Sequence, residues 1–298
     1  MSRERLLGTL AVATAASLWG TLGLFAKLLY TQGVSVEALV AVRAFGGWLA
    51  ALGFLLTTQG TKPLRVSRGD LALLLPLGFV GIGIFYLLYF YTVRESTVGT
   101  AAILLYSAPA FVVVLARLFL GERLGATKVS ALVLTACGIL LIAGAYDPSN
   151  LEIGPVVLVT GLLSGLTFGL YAIFGRPVAS RLSPAVILSY ALLFGSVLLV
   201  PAALPTLDTL AGLPAGSYLI LLMLAVVHTA LAFALYTFGI RRLGAGRAAI
   251  VATVEPMVAA LTGVALLGEE VTALKLAGGL LVLSGAALAQ AGGRPKGA

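Results

Sequence analysis

The chain has 298 residues, of which 60% are apolar and only 10% charged, and its mean hydropathy is +1.10. A soluble domain carries about 25% charged residues, so too little charge is present to cover a water-facing surface, and a membrane protein is predicted. The lone cysteine, Cys137, excludes a disulfide scaffold, and the net charge of +8 is spread singly through short loops, which excludes nucleic acid as a partner.

A transmembrane helix needs about 20 mostly apolar residues to cross a hydrocarbon core about 30 Å thick. Ten such stretches follow one another, at about 7–30, 37–57, 70–92, 97–118, 126–145, 153–175, 183–204, 216–239, 246–267 and 273–291. No small-residue cleavage pattern follows the first, which therefore reads as a permanent helix and not as a signal peptide. The connections are short and hold residues that break helices or refuse the bilayer, as in Gly60-Thr61-Lys62-Pro63 and Asp147-Pro148-Ser149-Asn150. A barrel would need strands of about 10 residues with alternating polarity. The predicted fold class is thus an all-α polytopic bundle of ten transmembrane helices.

With ten spans, one side of the membrane receives Arg3, Arg5, Lys62, Arg65, Arg68, Arg117, Arg123, Lys128, Arg176, Arg181, Arg241, Arg242, Arg247, Arg294 and Lys296, fifteen of the 19 Lys and Arg. Basic residues in short loops stay in the cytoplasm. Both termini are therefore expected there. The other side keeps Lys27, Arg94 and Lys275 among acids such as Glu37, Glu95, Asp147, Glu152, Asp208, Glu269 and Glu270.

Offset by 147 positions, the chain matches itself. Tyr89 pairs with Tyr236, Arg94 with Arg241, Ala101-Ala102-Ile103 with Ala248-Ala249-Ile250, Pro109 with Pro256, Gly121-Glu122 with Gly268-Glu269, Lys128 with Lys275 and Gly138 with Gly285. An offset of 149 aligns Gly20, Phe25 and Lys27 with Gly169, Phe174 and Arg176. Two modules are expected, 1–147 and 148–298, each of five spans. Five is odd, so the second copy enters from the opposite side and the two are inverted repeats, the usual skeleton of a secondary transporter with a site near the midplane.

The stretches Pro109 to Gly121-Glu122-Arg123 and Glu255-Pro256 to Gly268-Glu269, each followed by a Gly-rich last helix, resemble the two EamA-type halves of the drug/metabolite transporter superfamily. Trp19-Gly20 is similar to that family's opening pattern, and the resemblance spans about 7–291. It implies a ten-helix carrier, most often an exporter of amino acids or small metabolites from the bacterial cytoplasm, and the tyrosine-rich third and fourth helices resemble the amino-acid exporter branch. The copies differ at one point: Ala108 stands where the second has Glu255.

Glu255 lies about ten residues into its span, where a carboxylate costs about 2.5–3.5 kcal/mol unless it meets water or a partner. It is the leading candidate for a substrate ammonium or a proton, the alternative being a helix–helix hydrogen bond. Arg43, roughly 10 Å along the second helix, either snorkels outward, pairs with Glu255 or attracts a substrate carboxylate. His228 is central in the eighth span and titrates near neutral pH, and packing is its alternative role. Trp19, Tyr86, Tyr89, Tyr106 and Tyr171 lie well within spans, where they either line a substrate cavity or pack. Neither a phosphate-binding glycine loop nor metal-ligand spacing occurs, so no cofactor, no metal and no enzymatic activity are expected. The expected partners are a small-molecule substrate, an amino acid or related metabolite, and membrane lipid, with a monomer the simplest assembly. The rival function is a polytopic enzyme acting on a lipid-linked substrate, whose acids would cluster at one interface, or a carrier of another metabolite class.

Overall fold

The computed structural model describes residues 3–120, 125–143 and 153–291, and every regular element among them is helical. Eight helices are long and apolar enough to cross a membrane: α1 (Arg3–Thr31), α2 (Val36–Gln59), α3 (Arg68–Glu95), α4 (Val98–Leu118), α5 (Ala126–Ala143), α6 (Pro155–Gly175), α7 (Pro184–Leu210) and α8 (Ala215–Leu243). Two more elements follow: α9, built from Ala245–Ala252 and Val254–Leu267, and α10 (Ala273–Ala291). Their apolar segments Val254–Leu267 and Ala273–Ala289 are shorter than the other eight. Among the described residues, each of the ten expected stretches falls mainly on helix, and eight of them qualify as candidate spans by length and composition. The Gly121-Glu122-Arg123 motif, Asp147, Asn150, Glu152, the module boundary at 147/148, Arg294 and Lys296 lie outside the described residues.

Local chemistry sets where the helices begin. The hydroxyls of Ser35, Ser67 and Thr97 accept from the backbone N–H three residues on, at 3.0, 3.1 and 3.0 Å, and so satisfy one of the orphan donors of a helix start. Pro155 and Pro184 occupy first-turn positions, where the missing N–H costs nothing. At the far end of α9, Gly268 takes a left-handed conformation (φ 67°) that turns the chain, and Glu269 then accepts from the Val98 N–H through both carboxylate oxygens at 2.8 and 3.0 Å. The Gly-Glu motif of the second copy thus caps α4.

Departures from α geometry recur with the sequence offset. π-helical turns occupy Phe79–Ile84 in α3 and Val226–Leu231 in α8, which are equivalent residues at 147 positions. In α4 the helix breaks after Leu105 and resumes at Ala108; in α9 it breaks after Ala252 and resumes at Val254. Pro109 and Pro256 follow these breaks, each lacking the N–H that would close the turn. That missing bond is why the ninth stretch divides.

The packing partners follow the same rule. Helix α1 packs on α8 and α9, and α6 packs on α3 and α4; α2 packs on α7, and α5 on α10. Glycines bring these backbones together. A Cβ on Gly138 would stand 2.5 Å from the Gly278 carbonyl oxygen, and one on Gly285 would stand 2.8 Å from that of Ala131. The offset converts one contact into the other. Likewise Gly20 of α1 abuts the Glu255 carbonyl of α9, and Gly169 of α6 abuts that of Ala108 in α4. Leu118, Leu140, Leu261 and Leu280 point outward from the spans, as an apolar solvent requires.

Candidate functional site

Arg43 is carried by the first third of α2 and is only 4% exposed. Its Nε donates to Thr229 Oγ1 at 3.1 Å, and its guanidinium carbon lies 4.2 Å from the ring centre of Tyr86 and 5.3 Å from that of Phe90. Of the three alternatives for Arg43, outward snorkelling is not what is seen: the side chain turns inward onto α3 and α8. Aromatic faces offer a desolvated cation about 2 kcal/mol or more, which offsets part of the burial penalty.

Glu255 sits one residue before Pro256 at the break in α9. Because Pro256 has no N–H, the Ala252 carbonyl one turn back is released, and the Tyr106 hydroxyl of α4 donates to it at 2.7 Å. The same hydroxyl is 3.2 Å from Glu255 Oε2. One phenolic proton therefore faces two acceptors, the Ala252 carbonyl and the Glu255 carboxyl. Arg43, Tyr89 and Tyr236 are all within electrostatic range of Glu255.

Of the eight residues singled out by sequence, Arg43, Tyr86, Tyr89, Tyr106 and Glu255 come together between α2, α3, α4 and α9. Tyr86 is 2% exposed, and its hydroxyl is a buried polar atom with no hydrogen-bond partner. Tyr171 adjoins the group from α6: it packs against Gly81 in the π turn of α3 and stacks on Phe168 at 6.4 Å. Trp19 closes the opposite side against Phe233 and Tyr236, each with ring centres 5.1 Å away. His228 stands further back. Its Nδ1 donates to the Met223 carbonyl at 3.1 Å, Nε2 is 3.1 Å from Thr21 Oγ1, and the ring meets Phe25 edge-on at 5.2 Å. Both ring nitrogens are thus engaged by the protein itself, at the turn that divides α1.

Sequence alone did not single out Thr229 or Phe90. A threonine and a phenylalanine in apolar helices carry no signal of their own; the adjoining His228 and the Gly46-Gly47 pair on α2 were the available pointers. Two recesses of about 260 Å³ border the bundle. One is apolar, lined by Pro109, Val112, Phe168 and Ala289, of which Phe168 also stacks on Tyr171. The other is polar, with Lys27, Arg94, Glu95 and Lys275 in its lining.

The sequence pattern of the EamA-like transporter family matches residues 6–144 and again residues 156–290. The chain belongs to the EamA-like transporter family. It is 32% identical over 95% of its length to an uncharacterized transporter of Archaeoglobus fulgidus, covering 96% of that protein. It is 27% identical to the uncharacterized inner membrane transporter YicL of Salmonella typhimurium, over 93% of each chain. A probable terminal-alkyne amino-acid exporter of Streptantibioticus cattleyicolor is 26% identical over 76% of each. A crystal structure shares the fold with a TM-score of 0.66 at 19% identity, covering 95% of both chains. This EamA-like chain is therefore a multi-pass membrane transporter of the drug/metabolite superfamily.

Proposed function

We propose that this EamA-like protein is a secondary carrier that exports amino acids or similar small metabolites across the cytoplasmic membrane by alternating access. On this reading α1 to α10 all cross the membrane, residues 1–147 and 148–298 form inverted five-helix halves, and both termini face the cytoplasm. The observation that carries it is the way the two ionisable side chains within the spans, Arg43 and Glu255, are held. Arg43 of the first half is bonded to Thr229 of the second, and Glu255 of the second half contacts Tyr106 of the first. Any rocking of one half against the other changes both contacts at once. Recurrence of the helix breaks, the π turns and the glycine contacts at one offset supports the same symmetry, as does the double match of the family pattern.

A cation and a carboxyl set among the same tyrosines suit a zwitterion. Arg43 takes the substrate carboxylate and Glu255 the ammonium, while Trp19, Tyr86, Tyr89, Tyr106 and Tyr171 contact the side chain. Substrates with several negative charges would need more cations than Arg43 supplies. A relative named as a probable amino-acid exporter fits this class. Glu255 also holds the proton when the ammonium leaves, with Tyr106 as its partner in both states, which makes it the coupling group of a proton antiporter.

Counterflow in proteoliposomes, loaded with one common amino acid at a time, tests the proposal. Saturable accumulation of labelled substrate is expected for some members of the panel. Unsaturable flux identifies a channel, and no flux refutes the amino-acid assignment. In the same assay Glu255→Gln is expected to retain exchange of substrate for substrate while losing the pH dependence of net efflux. A variant with the wild-type pH profile removes the coupling role.

A further inference from the structure

We propose that Thr229 is a positioning residue that aims Arg43 at the carboxylate of the substrate. The proposal rests on the carrier reading and deepens it by naming which group of the substrate Arg43 recognises and what holds Arg43 ready for it.

Thr229 has one hydroxyl proton, and that proton is committed: Oγ1 donates to the Leu224 carbonyl, five residues back, at 2.9 Å. Toward Arg43 the oxygen is therefore only an acceptor, and it takes Nε at 3.1 Å. With Nε fixed on the α8 side and Tyr86 and Phe90 against the guanidinium on the α3 side, the group has little freedom left. Nη1 and Nη2 carry no hydrogen bond among the described residues. The Tyr86 ring that meets the guanidinium carries a buried hydroxyl with no hydrogen-bond partner. Leaving such a group unsatisfied costs about 1–3 kcal/mol. Apart from the Thr229 oxygen that takes Nε, the hydrogen bonds of the described residues give the guanidinium and the Tyr86 hydroxyl no acceptor. A planar carboxylate supplies two oxygens for the guanidinium fork and accepts from the tyrosine; an ammonium supplies none.

Two features of the backbone exist at this level to permit the contact. The π turn at Val226–Leu231 sends adjacent residues to different neighbours, His228 to Thr21 and Phe25 of α1 and Thr229 to α2. One turn beyond Arg43, Gly47 lets α2 approach: a Cβ there would stand 2.8 Å from Thr229 Cγ2 and 3.3 Å from the Ala225 carbonyl oxygen. At the equivalent of Thr229 in α3 stands Ile82, and at the equivalent of Arg43 stands Tyr190, whose hydroxyl donates to Leu64 O at 2.6 Å. The device belongs to one half only, as recognition of an asymmetric substrate requires.

The test compares Thr229→Val, which removes the acceptor at constant shape, with Thr229→Ser, which keeps it. Gly47→Ala is the second route to the same lesion, separating α2 from α8 while leaving Thr229 in place. Counterflow is measured with the common amino acids, with their α-amides, which keep the ammonium and side chain, and with the matching 2-oxo acids, which keep the carboxylate. For carboxylate-bearing substrates, Thr229→Val and Gly47→Ala are expected to raise the half-saturation concentration roughly tenfold with the maximal rate little changed, and Thr229→Ser to restore it. Amides transported by the wild type should be unaffected by all three. Equal losses for amino acids and amides, or no loss for either, overturn the positioning role. Wild-type counterflow with amides alone overturns carboxylate recognition and leaves the carrier standing. An absence of counterflow with every compound overturns the carrier reading and this proposal with it.

Discussion

At the scale of single residues, the decisive pairings join an ionisable side chain to a hydroxyl. Tyr106 is the clearest case, because its one oxygen repairs the carbonyl that Pro256 orphans and also meets Glu255. Tyr106→Phe keeps the ring and removes both contacts, leaving the Ala252 carbonyl unsatisfied. It is expected to lower stability by about 1–3 kcal/mol, seen as a lower midpoint in thermal unfolding of the purified protein in detergent. An unchanged midpoint refutes the repair. Glu255 and Arg43 were legible in the sequence because a charge in an apolar span announces itself by its cost. Thr229 was not, since a threonine in a membrane helix ordinarily bonds its own backbone, and only the π turn and the glycine opposite give it a second partner. His228 stood out in the sequence for its chemistry, and the structure ties both its nitrogens to backbone and to Thr21.

At the scale of elements, the ten apolar runs were readable because membrane helices are specified mainly by length and composition, and each run coincides with helix. What was not readable is the winding inside them. A π turn shifts the helix face without interrupting the apolar pattern, so neither Phe79–Ile84 nor Val226–Leu231 leaves a mark in a hydropathy profile. The break in α9 was partly visible, through Pro256. The turn of α3 also packs on α6 by way of Gly81, where a Cβ would stand 2.7 Å from Tyr171 Cβ. Gly81→Leu is therefore expected to force α3 and α6 apart and destabilise the bundle by about 1–3 kcal/mol. Gly53, with nothing within 4 Å of an added Cβ, is the control position, at which Gly53→Leu should be close to neutral. Comparable unfolding midpoints for the two variants contradict this packing. Lipid-facing leucines at the surface of α10, such as Leu280, are expected to tolerate exchange for other apolar residues.

At the scale of the whole molecule, the contacts between helices fall into pairs related by one offset, and the ends of the bundle are tied differently. Where α2 gives way to α3, Asp70 accepts from Arg181 at 2.6 and 3.0 Å and links the α3 start to the α6–α7 connection. At the opposite end, Ser35 donates to Thr206 at 2.9 Å and joins the α1–α2 connection to α7. Arg181 is half exposed, so its ion pair contributes no more than about 1 kcal/mol. The repeat was legible in the sequence because two prolines, two Gly-Glu pairs and two lysines align; the proposed inverted threading rests on five crossings in each copy. That threading is the claim on which the proposed mechanism depends, and it makes counterpart loops face opposite sides of the membrane. Gln32 and Ser180 are exposed residues in such a pair of loops. In a Cys137→Ser background, an impermeant maleimide applied to intact cells is expected to label Gln32→Cys at once and Ser180→Cys only after permeabilisation. Labelling of both from the same side would contradict the inverted arrangement and the alternating-access carrier built on it.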